Sequence, residues 1–126
     1  MRIVELAARI LLGLLFLVFG CNGILNFLPS PPPLHGLAGD FLRALSESHY
    51  YLVIAGFQVV AGCLLIVNRF VGLAIATLAP IIVNILCFHV FMMPAGLPGV
   101  IGVAGIWAFL AYRHRHCFAG LFVSTS

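Results

Sequence analysis

Asn84, Cys87 and His89 sit close together late in one apolar run, IIVNILCFHVF at 81–91, which then breaks on Pro94, Gly96, Pro98 and Gly99. An imidazole can move a proton to water or to a quinone, and a carboxamide can orient a ligand through two donors and an acceptor oxygen. Other amides are embedded in comparable runs: Asn22 and Asn26, one helical turn apart, in the first and Gln58 in the second. His89 is therefore the candidate catalytic residue, as proton donor or ligand-orienting group. Asn22, Asn26, Gln58 and Asn84 are the candidate ligand-binding walls. The competing reading makes the amides interhelical hydrogen bonds and His89 a satisfied structural histidine.

Other chemistries find less to work with. The four cysteines, Cys21, Cys63, Cys87 and Cys117, fall in or at the end of separate apolar runs and form no C-x-x-C pair, which leaves neither a local redox motif nor a zinc spacing. His89 with His35 or His49 would make a haem axial pair, but the latter two lie in a loop that fixes no spacing, so haem is disfavoured. In YRHRHC at 112–117, His114 and His116 are two residues apart and point to different faces; the segment reads as a charged anchor against lipid phosphates. No G-x-S-x-G, H-E-x-x-H or Walker pattern occurs, and the sequence names no reaction.

The chain that must position these groups has 126 residues, 63% hydrophobic and only 7% charged, with a mean hydropathy of +1.22. A soluble domain carries roughly a quarter charged residues, so this is a single integral membrane domain surrounded by lipid. The net charge of +3 is too small and too scattered to suggest a nucleic-acid partner. Four segments approach the ~20 apolar residues that cross a bilayer: about 3–28, 50–67, 70–92 and 97–118. The fold expected is an all-α, four-transmembrane-helix antiparallel bundle. After the proline run 29–33, the segment at about 34–47 places Leu34, Leu37, Ala38, Phe41 and Leu45 on one side and Asp40, Arg43 and Glu47 on another. That pattern predicts a short interfacial helix in the first external loop.

Arg2, Arg9, Arg69, Arg113 and Arg115 fall at one set of ends and Arg43 at the other, so the positive-inside rule puts both termini in the cytoplasm. A signal-peptide reading of the N-terminus competes, with VFGC at 18–21 as a loose cleavage box. Glu5, Arg9 and the bulky Phe19 oppose it, as does the apolar pattern that continues to Leu28. Helical rise places Asn22 about 9 Å, and Gln58 and Asn84 about 12 Å, below the outer ends of their spans, with His89 about 5 Å below. Ala55, Gln58 and Gly62 share one face of the second span. Gly72, Ala76, Ala79 and Asn84 fall along one side of the third, and Gly99, Gly102 and Gly105 line the fourth. Small residues mark close helix contacts in membranes. The amides are accordingly expected to converge inward beneath the interfacial helix, around a small pocket.

The series RILLGLLFLVFGCNGILNFLP (9–29), LVIAGFQVVAGCLLIVNRF (52–70) and VNILCFHVFMMPAGLPG (83–99) resembles the DoxX-like family of small four-helix membrane proteins over nearly the whole chain. The resemblance implies a bundle in a bacterial inner membrane and an accessory role beside a respiratory or redox, quinone-linked complex. Quinone is then the conceivable cofactor, and membrane lipids with other membrane subunits or further copies of the chain are the partners. Asn22, Gly23, Gly62, Arg69, Asn84 and His89 match family-like positions. Many members carry a glutamate where this chain has Gln58, and a basic group where Asn26 stands. Two alternatives stay open: a small-molecule or lipid binding or transport protein without redox chemistry, and a purely structural assembly subunit.

Overall fold

Apolar runs become helices here, and their ends fall where a proline, a left-handed residue or a change of polarity stops them. A computed structural model describes residues 2–27, 34–122 and 124. Among these the chain is all-helical: α1 Arg2–Leu25, α2 Gly36–Glu47, α3 Tyr51–Val67, α4 Val71–Phe91, a 3-10 turn Pro94–Gly96, α5 Leu97–Arg113 and a 3-10 stretch Arg115–Phe122. Leu28 and the proline run 29–33 lie outside the described residues. Three helical segments, α1, α4 and the stretch Pro94–Arg113, are long and apolar enough to cross a membrane; α2 and α3 pass together only as a pair bent by 83°. With 17 residues, α3 spans about 26 Å. The fourth apolar run ends at Arg113 rather than near 118, because polar YRHRH brings the chain out of its regular helix at His114.

Between α3 and α4 the chain reverses in three residues. Asn68 (φ 59°) ends α3 in the left-handed conformation, and its N–H donates to the Leu64 carbonyl, a C-terminal closure that asparagine tolerates well. Phe70 is also left-handed, at φ 51°, an uncommon and strained position for a bulky side chain.

The closest packing joins α1 and α3, which run antiparallel. A Cβ on Gly62 would stand 2.7 Å from the Gly13 carbonyl oxygen, and one on Gly20 would stand 2.9 Å from that of Ala55. Only glycine lets the two backbones approach so closely. α3 also packs on α4, α4 on α5, and α5 returns to α1, closing a ring around Leu12, Phe16, Leu65, Ile75, Leu78 and Leu110, all fully buried.

α2 turns 83° away from α3 and meets α4 through Phe41. Gly36 enters it at φ 72°, and the missing Cβ of Gly39 leaves room for the Leu34 carbonyl. Those glycines shape the start of the helix rather than weaken it. Ala38 is buried, Phe41 packs on Phe88 of α4 with ring centroids 5.5 Å apart, and Arg43 pairs with Asp40 at 3.0 Å on the exposed side.

Candidate functional site

The outer-half residues do not converge as the small-residue pattern predicts. Asn84 is exposed, and its Nδ2 donates to the Pro80 carbonyl oxygen in the same helix at 2.9 Å. Ala76 is exposed too, whereas Val71, Ala74, Ile75, Leu78 and Ile82 form the buried side of α4. Large aliphatics took the interior and turned Pro80 and Asn84 outward. Gln58 is half-buried against Gly20, as the shared face with Ala55 and Gly62 implied. Asn22 is half-buried on α1. Asn26 is exposed just beyond that helix in a left-handed turn, its N–H bonded to the Asn22 carbonyl at 2.8 Å. A Cβ built on Gly99, Gly102 or Gly105 would meet nothing within 4 Å, so the expected close approach along α5 is absent among the described residues.

His89 is partly buried in the last turn of α4. Its Nδ1 lies 2.8 Å from the Ile85 carbonyl oxygen, which can only accept, so that nitrogen carries the proton. The ring packs onto Gly96, where a Cβ would fall 2.6 Å from Cδ2. Its neighbour Phe88 meets Phe41 of α2. In this arrangement His89 holds the α4–α5 turn against the bundle.

A second polar assembly, which sequence reasoning missed, lies at the opposite end, beside the termini. Arg9 on α1 is 9% exposed, and its Nη1 donates to the carbonyl oxygens of Leu65 and, at 3.3 Å, Ile66. These are orphan carbonyls of the last turn of α3, which have no partner within their own helix. Arg9 thus caps a helix 56 residues away in sequence. Glu5, also on α1, accepts from Arg113 Nε at 3.1 Å and faces His114 Nε2 at 3.6 Å, which ties α1 to the end of α5. The other His114 nitrogen, Nδ1, donates to the Leu110 carbonyl oxygen at 3.0 Å, which holds the ring at the end of α5. These groups border an open cleft of about 460 Å³, which Arg2, Ile3, Leu6 and Asn68 also line. A further bond, Trp107 Nε1 to the Ile75 carbonyl oxygen at 3.0 Å, fixes α5 to α4. The sequence did hold one signal for this end: Arg9 and Glu5 interrupt an otherwise apolar run, and a charge inside a span needs a partner.

These long apolar helices define a multi-pass membrane protein. No family model, curated protein or solved structure matches the chain.

Proposed function

We propose that this protein is an accessory subunit of a membrane complex, docking to a neighbouring transmembrane helix through the outward side of α4. In this reading α1, α3, α4 and α5 cross a bacterial inner membrane as an antiparallel four-helix bundle, α2 lies in the outer interface, and both termini are cytoplasmic. The 83° bend between α2 and α3 supports the interfacial placement, and the arginine distribution supports the orientation.

The observation that carries the reading is Asn84. It lies two turns inside α4 among exposed Leu73, Val83 and Val90. One N–H is used by Pro80, and its Oδ1 and second N–H have no partner among the described residues. Lipid cannot bond an amide; a helix from another subunit can. Bare Gly102 and Gly105 on α5 offer a second surface for close approach. The resemblance to the DoxX-like family supports a respiratory or redox, quinone-linked complex as the partner.

The test uses Cys87, exposed one turn from Asn84. Cross-linking from Cys87 in native membranes, followed by mild solubilisation, should recover an oxidoreductase subunit, and Asn84→Leu should abolish that recovery. A chain that stays alone, binds no quinone-linked partner and is indifferent to Asn84→Leu would sink the proposal.

A further inference from the structure

The charged cleft beside the termini contains more cationic donors than the protein itself uses. Arg9 is committed to α3, and Glu5 to Arg113 and His114. The hydrogen bond of Arg113 to Glu5 engages Nε, which leaves its two Nη groups without a hydrogen-bond partner among the described residues. Arg2 forms no hydrogen bond or ion pair there, nor does the Asn68 side chain, yet both border the same cleft. Three guanidiniums against one carboxylate leave an excess of two positive charges even with His114 neutral. The acceptor that satisfies such a set is a multidentate oxyanion, and guanidinium forks match phosphate geometry.

We propose that this cleft is a phosphate site, formed by Arg2, the Nη groups of Arg113 and the Asn68 amide. Two sources present that chemistry: the headgroup of an anionic phospholipid and a soluble phosphate. Ile3 and Leu6 continue the cleft wall and are 81% and 51% exposed. They supply an apolar surface along which an acyl chain lies while its phosphate meets the arginines, the arrangement a lipid fits and a free ion does not use. Arg9 and Glu5 are positioning residues in this site. They fix α3 and α5 relative to α1 and so set the width of the cleft. The inference rests on the reading that the helices cross a bilayer with this end at a headgroup layer.

The experiment compares the full chain reconstituted in phosphatidylcholine vesicles with and without phosphatidylglycerol. Native mass spectrometry of mildly extracted protein reports the lipid retained. Wild-type protein should hold phosphatidylglycerol in preference to phosphatidylcholine. Arg2→Gln should weaken retention more than about tenfold, the loss of a charge-assisted hydrogen bond to the phosphate. Arg69→Gln removes an exposed arginine of the α3–α4 turn outside the cleft and should weaken it at most about fivefold, the diffuse contribution of one basic side chain at an anionic surface. Neither substitution removes a packing contact of the core, so folding is preserved. Equal losses in the two variants, or no preference for phosphatidylglycerol, would overturn the site and leave only diffuse surface charge. Displacement of the lipid by inorganic phosphate at comparable occupancy would keep the phosphate site and reject the lipid as its source. Carbonate-resistant association with the same vesicles reports membrane insertion separately. An inserted chain indifferent to lipid headgroup therefore refutes the cleft without touching the accessory-subunit reading.

Discussion

At the end carrying the termini, Arg9 reaches from α1 to the carbonyls of α3, and Glu5 reaches from α1 to Arg113 of α5. In the opposite half, Asn84 and His89 each bond a carbonyl four residues back in their own helix. The first set joins elements that are distant in sequence, and removing Arg9 leaves a buried carbonyl unpaired. The second set is satisfied within its own helix, and removing the exposed Asn84 costs the isolated chain little. Polar residues in a membrane protein can thus act as internal ties or as unspent contacts for something outside. The direction of the hydrogen bond, more than the residue type, tells the two apart.

Substitutions can break this contrast. Gly62→Val, at the α1–α3 contact on which the inner ties depend, should cost about 3 kcal/mol because its side chain would collide with the Gly13 carbonyl and Leu17 backbone. Unfolding in mixed detergent micelles measures it. Arg9→Leu should cost about 2 kcal/mol in the same assay, since the Leu65 and Ile66 carbonyls lose their donor. Glu5→Gln should cost below about 1 kcal/mol, because the pair it breaks is part-exposed and screened. Asn84→Leu should leave the isolated chain within about 0.5 kcal/mol of wild type while abolishing cross-linking from Cys87. Should Asn84→Leu destabilise the isolated chain as much as Arg9→Leu, the proposed contrast fails.

Much of the helical plan was legible in residue patterns. Composition gave a membrane protein, the two residues left between the segments 50–67 and 70–92 required a tight turn, and the alternating faces of 34–47 gave α2. Gln58 was placed correctly because Ala55 and Gly62 flank it on a face that packs against glycines of α1. Asn84 was placed wrongly because its side of α4 was read from small residues alone. In that helix the interior is filled by Ile75, Leu78 and Ile82, whose bulk and shape outweigh the pull of Ala76. The inner cluster escaped for another reason. Glu5 and Arg113 are 108 residues apart, and no periodicity within one helix relates them. Arginines counted for orientation gave no indication of what each one touches.

The bond from Arg9 to α3 also bears on how the protein is made. Arg9 stands seven residues inside α1, about 10 Å along its axis, where a guanidinium without a partner is costly to keep in hydrocarbon. Its acceptors belong to residues synthesised 56 positions later. If α1 and α3 cross a bilayer as proposed, Arg9 gains its partner only once α3 has been made, which favours bringing the two helices into lipid together.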